Sequence, residues 1–331
     1  MKTIVFEQFG EPAEVLQVRE VPQPQPGPGQ VLVRMLASPI GPADFLTVRG
    51  EYGHRLRLPA TPGTEGVGIV EAGRGLLGRL RVGKRVAVLN ETGGNWQEKV
   101  VVSALRVVPI SRHVTDDQAA TFFVNPATAL IMTRLVLDVP PGAWLLQNAA
   151  GSALGRMVIR LGRHFGFRTI NVVRRRQQAE ELLQAGGDAA IATESEPIED
   201  RVKALTKGEG VRFALDAVGG ATGSAEARCL APGGRLLVYG TLANEPLSLP
   251  SRMLFLGVKR IEGFWLSEWV NRQSLLTMMR LFRHIHALMA KGVLSTEIGH
   301  AFSLDEIQAA VRQVSTTGRH GKVLLRMNSV S

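Results

Sequence analysis

The run Gln147-Asn148-Ala149-Ala150-Gly151-Ser152-Ala153-Leu154-Gly155 places small side chains between an apolar segment and an amphipathic one. Small residues let a backbone approach a pyrophosphate, and a helix that starts there adds free N–H groups and the positive end of its dipole. Ala150 and Ser152 stand where a G-x-G-x-x-G fingerprint has its first two glycines, so an ordinary strand-to-helix connection stays open. The next apolar segment ends nineteen residues beyond Gly155 at Arg174, Arg175 and Arg176. An NAD-binding unit would carry an acid near that point for the ribose hydroxyls. Guanidinium groups there suit the 2′-phosphate of NADPH instead. The bland alternative is a solvated basic loop, because residues 156–176 hold seven Arg and no acid.

Such a turn needs a strand before it and a helix after it. Ala143 to Gln147, Arg168 to Val173, Phe213 to Ala217 and Arg235 to Tyr239 read as buried strands, with amphipathic helices between them. Leu154, Met157, Val158, Leu161 and Phe165 share one face of the first of these helices, and Arg156, Arg160 and Arg163 another. The alternation predicts an α/β domain, a doubly wound parallel sheet of Rossmann type, that begins near Asp116-Asp117 as a helix cap. The first 110 residues have short Val/Leu runs (Gln30 to Leu36, Gly66 to Glu71, Arg85 to Leu89, Lys99 to Val102) among many Gly and Pro, the pattern of a mostly-β unit. The Pro-rich stretch Val21 to Gly29 lies between predicted strands and reads as a stiff connector, with a polyproline ligand as the alternative. A long helical pattern through about Lys291 and a strand at Lys322 to Leu325 return to complete the first domain. The predicted division is 1–120 with 272–331, and 121–271.

At 331 residues and 45% hydrophobic content, with mean hydropathy +0.07, the chain is long enough for two packed domains and too apolar for disorder. No apolar run reaches the length of a membrane span, and Lys2 and Glu7 interrupt any secretory pattern, so a soluble, cytoplasmic protein is expected. Cys229 is alone, which excludes an internal disulfide and any multi-thiolate metal site. The net charge of +10 comes from 31 Arg and 8 Lys against 29 acids. It favours anionic partners, although a GC-rich genome gives the same arginine excess. Nucleic-acid binding through the Arg156, Arg160 and Arg163 face is a minor alternative, with no interleaved aromatics to stack on bases.

The chain resembles the medium-chain dehydrogenase/reductases over nearly its whole length. The resemblance is carried in order by Val31 to Asp44, Pro62-Gly63-Thr64-Glu65-Gly66-Val67-Gly68, Asp216-Ala217-Val218-Gly219 and Leu230-Ala231-Pro232-Gly233-Gly234. It implies a GroES-like, mostly-β catalytic domain beside the Rossmann domain. Zinc-containing members use a Cys/His set in the first domain. Here Thr64 stands at the usual His position and no Cys precedes Cys229, so the resemblance implies a zinc-free member.

Within those members the chain is most similar to the mitochondrial-type trans-2-enoyl-thioester reductases. Arg49 to Gly53, Gly94-Asn95-Trp96, Val124 to Ala129, Thr169 to Arg176 and Glu262 to Trp269 carry that similarity, and the quinone-reductase branch shares Tyr52. The resemblance implies Tyr52 as proton donor and Asn125 as a cofactor contact. Gly151, Ser152, Ala153 and Leu154 would cradle the pyrophosphate, and Arg174, Arg175 and Arg176 the 2′-phosphate. Tyr239, Gly240, Thr241 and Leu242, with Phe264, Trp265, Leu266 and Ser267, would line the nicotinamide, and Lys322 would close the site. Trp96, Phe264 and Trp265 would border the substrate. Arg175 and Thr241-Leu242 depart from the family's usual Asp and Gly-Met.

The implied reaction is NADPH-dependent reduction of an enoyl-CoA or an enoyl-acyl carrier protein, with hydride added at Cβ and a proton at Cα. A quinone or another activated alkene is the alternative substrate. From spacing alone Tyr52 is equally a packing residue, Trp96 a core residue and Trp269 a core or interface residue. A homodimer joined by edge strands of the cofactor domains is implied as well.

Overall fold

The chain folds as two units, Met1–Val124 with Ser295–Ser331, and Asn125–Leu294. The computed structural model describes residues 1–53, 56–90, 93–316, 318 and 320–327. The first unit opens with β1 (Lys2–Val5), β2 (Gln17–Glu20), β3 (Gln30–Pro39), β4 (Glu65–Gly73), β5 (Arg85–Leu89), β6 (Lys99–Ser103) and β7 (Val107–Pro109). The second carries β8 (Trp144–Gln147), β9 (Arg168–Val173), β10 (Ala189–Ala192), β11 (Val211–Asp216), β12 (Leu230–Val238) and β13 (Arg260–Gly263). Strands β14 (Ile298–Ser303) and β15 (Lys322–Arg326) then return to the first unit.

The first unit's main sheet has the order β14-β15-β3-β4-β5-β7, with β6 also on β3. Its pairs are antiparallel except β14 on β15. Strand β3 is the long central member, and its Val31, Val33 and Met35 meet Val86, Val88, Trp96, Val323 and Leu325 in one core. The Pro-rich stretch carries no regular structure between β2 and β3, as a connector should.

The second unit's sheet has the order β10-β9-β8-β11-β12-β13, and every pair in it is parallel. Buried apolar strands explain this, since parallel strands need helices on both faces and therefore read as continuous Leu/Ile/Val runs. The helix Ala153–Phe165 buries Leu154, Met157, Val158 and Leu161 as its periodicity requires. Of the three arginines on its other face, Arg156 reaches Gly151 O and Glu181, and Arg160 Nε donates to Val293 O at 2.9 Å. Arg163 is exposed.

Two details differ from expectation. Residues 272–294 group with the second unit, because Arg160 holds Val293 and the Phe165 ring packs edge-on to His284 of the helix Leu275–Ala290. The helix at Asp116 is capped by Thr115, whose Oγ1 accepts from Gln118 N at 3.3 Å. Asp116 and Asp117 instead form ion pairs with Arg85 and Arg326. Cys229 is buried, and burial pushes its thiol up to about 12, the state of an unreactive thiol. Among the described residues no helix is long and apolar enough to cross a membrane.

Gly155 makes the turn after β8 possible. A Cβ there would sit 2.5 Å from Ala150 O and 2.6 Å from Ala150 Cα, backbone atoms with no freedom to withdraw. Gly155→Ala is therefore expected to destabilise the second unit by about 1–3 kcal/mol. Urea unfolding followed by far-UV circular dichroism checks this, and an unchanged midpoint would contradict the packing described.

Candidate active site

Parallel pairing brings the carboxyl ends of β8, β9, β11, β12 and β13 to one edge of the second unit, the place where open α/β sheets bind ligands. Residues 148–152, 174–176, 217–219, 239–242 and 264–267 leave the sheet there. Ala149 takes a left-handed φ of 46°, which turns the chain back toward the helix. Ser152 then caps that helix, its Oγ accepting from Gly155 N at 3.1 Å. Ala153 and Leu154 are its first residues, whose amides have no intrahelical acceptor. A Cβ placed on Gly151 would meet nothing closer than 3.8 Å, so the space above the turn is open. A dipole end, directed amides and open space suit a pyrophosphate.

Arg174, Arg175 and Arg176 are all exposed at the end of β9. Arg176 pairs with Glu180, and its amide donates to Glu194 at 2.7 Å. Arg174 and Arg175 have no acidic partner among the described residues, so their guanidinium groups are disposed for an external phosphate. On the opposite side of the edge, Tyr239 N donates to Asp216 O, Leu242 N to Ala217 O and Phe264 N to Val238 O. Thr241 and Leu242 are exposed, and Gly240 lies so close to Ala217 that a Cβ would be 2.7 Å from its carbonyl oxygen. Trp265 precedes the short helix Leu266–Asn271, in which Leu266 and Ser267 are half-buried. Tyr239 is half-buried, and its hydroxyl is buried without a hydrogen-bond partner among the described residues. Burial and then the nearby Glu226 and Asp216 charges hold that hydroxyl protonated well above the usual tyrosine range.

In the first unit, the helix Pro42–Arg49 ends at Gly50, left-handed at φ 75°, and delivers Tyr52 half-buried in the following loop. Asn125 lies where the chain enters the second unit, at the second position of the helix Val124–Ile131. Trp96 packs in the core cluster of the first unit. It is wholly buried, its Nε1 donates to Pro39 O at 3.3 Å, and Gly63 lies flat against its ring, so it belongs to the core.

Lys322 faces a pair of acids that the sequence reading passed over. Asp44 Oδ2 accepts from Gly41 N at 2.8 Å and its Oδ1 from Thr64 N at 3.1 Å. Glu65 Oε2 accepts from Phe123 N and Val124 N at 3.0 and 2.9 Å. Burial pushes Asp44 up to about 6 and Glu65 up to about 7, while the backbone amides and the Lys322 ammonium oppose the rise. The Lys322 Nζ lies 3.2 Å from the position of a Cβ on Gly41, above Asp44. The only local sign in the sequence was an acid set among small and apolar residues in each segment. Among the described residues no group of three or more His, Cys, Asp and Glu is placed to hold a metal ion, and Thr64 is occupied with Asp44.

The raised acid at position 65 has a consequence for stability. A carboxyl raised in the folded state stabilises fully below its unfolded value near 4.5, and that contribution is lost as pH rises through about 7. The loss amounts to about 3 kcal/mol. Glu65→Gln keeps an acceptor for the two amides and cannot ionise. The variant should therefore gain stability relative to the parent between pH 4.5 and 7.5, read from urea midpoints. Parallel pH profiles for the two proteins would contradict the burial argument.

Comparison with known proteins places the chain in a family. Residues 27–112 match the alcohol dehydrogenase GroES-like domain, and residues 153–283 the family described as zinc-binding dehydrogenase. The mitochondrial enoyl-[acyl-carrier-protein] reductase of Rattus norvegicus is 32% identical over 94% of this chain and 84% of its own length. The human protein of that name is 32% identical over 94% of this chain and 84% of its own. A crystal structure from Bacillus thuringiensis, described as an NADPH:quinone reductase, superposes with a TM-score of 0.93 at 35% identity, covering 99% of both chains. With both domain families in order and these relatives spanning nearly its full length, the chain belongs to the medium-chain dehydrogenase/reductase family and is an oxidoreductase.

Proposed function

We propose that this protein reduces the C=C bond of a trans-2-enoyl thioester, carried on CoA or on an acyl carrier protein, with NADPH and without zinc. The observation that carries the reading is its similarity, over nearly the whole chain, to proteins named enoyl-[acyl-carrier-protein] reductase. Arg174 and Arg175, exposed and without an acid at the end of β9, support the choice of NADPH over NADH.

In the second unit the Ala153 and Leu154 amides would hold the dinucleotide's pyrophosphate, and Arg174 and Arg175 its 2′-phosphate. Gly240, Thr241, Leu242, Phe264, Trp265, Leu266 and Ser267 would border the nicotinamide, with Asn125 as a further contact, and Lys322 of the first unit is assigned to the same cofactor by the family resemblance. NADPH, when bound, supplies the hydride that adds to Cβ. As that bond forms, negative charge moves through Cα to the thioester oxygen. Tyr52 hydrogen-bonds the developing enolate and passes a proton to Cα, directly or through water. The product thus gains one hydride and one proton across the former double bond. The protein would work as a homodimer joined by edge strands of the cofactor units; β13 is an edge strand, pairing among the described residues with β12 alone.

A second reading, reduction of a quinone, is favoured by the 35% identical structure described as an NADPH:quinone reductase. Oxidation of NADPH and NADH with crotonyl-CoA, a longer trans-2-enoyl-CoA and a benzoquinone separates the two. The enoyl reading expects fast turnover of NADPH with the thioesters and little with the quinone or with NADH. Turnover of the quinone alone would overturn it.

Two substitutions test the assigned groups. Tyr52→Phe should lower kcat by about 10² to 10⁴ while leaving NADPH affinity intact, and full activity in that variant would remove Tyr52 from the mechanism. Arg174→Ser with Arg175→Ser should raise the KM for NADPH by roughly 10- to 100-fold, the loss of one or two charge-assisted hydrogen bonds. The KM for NADH should stay within a factor of about two, because it has no 2′-phosphate for these side chains to hold.

A further inference from the structure

The helix Leu275–Ala290 buries Leu281, Ile285, Leu288 and Met289 on its inner side, as a 3.6-residue period requires. Its outer side starts with large apolar side chains: Leu275, Leu276 and Met279 are 66%, 68% and 52% exposed. One turn on, Arg280 and Arg283 continue the same surface and are exposed as well. Among the described residues neither has an acidic partner, and Lys291, exposed just past the helix, adds a third cation. Residues 272–296 contain no Asp or Glu. The helix thus shows solvent an apolar patch that passes into a basic one, with no acid of its own to neutralise it.

Such a surface fits a protein partner that sets acids around an apolar centre, since protein interfaces favour Met and Arg and complementary charge steers their encounter. A second copy of this chain fits poorly, because a twofold contact would bring two acid-free basic surfaces together. Position narrows the partner further. Ser267 lies at the nucleotide edge in the helix Leu266–Asn271. From Ser267 the chain takes four helical steps to Asn271 and four more to Leu275, a span of at most about 20 Å. The body of a carrier resting on Leu275 to Arg283 therefore stays close to the edge where its thioester reacts. CoA has no such body to support.

We propose that the outer side of this helix docks an acidic carrier protein that presents the enoyl thioester: Leu275, Leu276 and Met279 pack on the carrier's apolar centre, and Arg280 and Arg283 pair with its acids. The inference rests on the enoyl-thioester reading and names the carrier for it, a protein rather than CoA.

Steady-state kinetics of the full chain with one trans-2-enoyl group, delivered on an acidic acyl carrier protein and on CoA, tests it. Arg280→Glu with Arg283→Glu should raise the KM for the carrier-bound thioester roughly tenfold or more, because attraction becomes like-charge repulsion. The KM for the CoA thioester and both kcat values should stay within a factor of about two. Leu276→Ser with Met279→Ser should act in the same direction, and all four side chains are exposed, so both variants should fold. In the parent, the KM for the carrier-bound thioester should rise with added salt. Equal changes for both thioesters, or none for either, overturn the inference. So does a changed sedimentation coefficient in the variants, which would assign the surface to a second copy. Binding of the parent to anionic phospholipid vesicles that the variants lose, with carrier kinetics unchanged, would assign it to a membrane and overturn the inference too. A parent that reduces the CoA thioester but not the carrier-bound one overturns this inference and leaves the proposed function standing. Reduction of neither overturns both.

Discussion

Parallel pairing in the second unit requires every connection between neighbouring strands to run back along a face of the sheet before the next strand begins. The carboxyl ends of β8, β9, β11, β12 and β13 consequently open at one edge, however far apart their loops are in sequence. Positions as distant as Gly151 and Phe264 share that edge for this reason. The helix after β8 starts with its free amides there as well, so geometry alone joins a small-residue turn, a dipole end and a pair of arginines. The antiparallel first unit has no such edge. The residues proposed to act from it come from a loop, Tyr52, and from a strand start, Lys322.

Each unit also keeps two acids out of water, and the two do so by different means. Asp44 and Glu65 are met by main-chain amides and by Lys322, so each can ionise near neutral pH. Asp216 and Glu226 share the Asn148 amide, and burial raises Glu226 well above the usual carboxylate range. In both cases the carboxylate oxygen substitutes for a regular strand or helix partner of loop backbone: Phe123 and Val124 in one, Val218 and Gly219 in the other. Loops that must approach a ligand cannot close their hydrogen bonds on each other. A buried acid closes them from behind and leaves the outer surface open.

These acids mark the limit of what the sequence displays. Strand periods and turn residues are local, and β9 and β5 fall where the Arg168 to Val173 and Arg85 to Leu89 patterns place them. The turn between Gln147 and Gly155 was equally legible, because small residues in succession have few other uses. Burial of Glu226 is a tertiary fact. Its helix Gly220–Arg228 reads Gly-Ala-Thr-Gly-Ser-Ala-Glu-Ala-Arg, a small-residue helix that carries its acid inward against Asn148, 78 positions away. Trp96 read equally as a pocket residue and as a core residue, and its burial, with Gly63 against its ring from another segment, is a tertiary fact. The helix Leu275–Ala290 could have joined either unit by periodicity, and the contacts of Arg160 and Phe165 decided it.

The enoyl thioester and the quinone ask the same thing of the nucleotide edge, since each accepts hydride at an electrophilic atom conjugated to a carbonyl. They differ in where the proton goes. A reduced quinone takes it on oxygen, where exchange with water is fast and a positioned donor adds little. An enolate must take it on carbon, which is slow without a donor held in place. A tyrosine in the Tyr52 loop is consequently worth far more to thioester reduction than to quinone reduction. The family's shared fold can therefore serve both chemistries, and on the proposed role of Tyr52 it is the first unit that would carry the distinction between them.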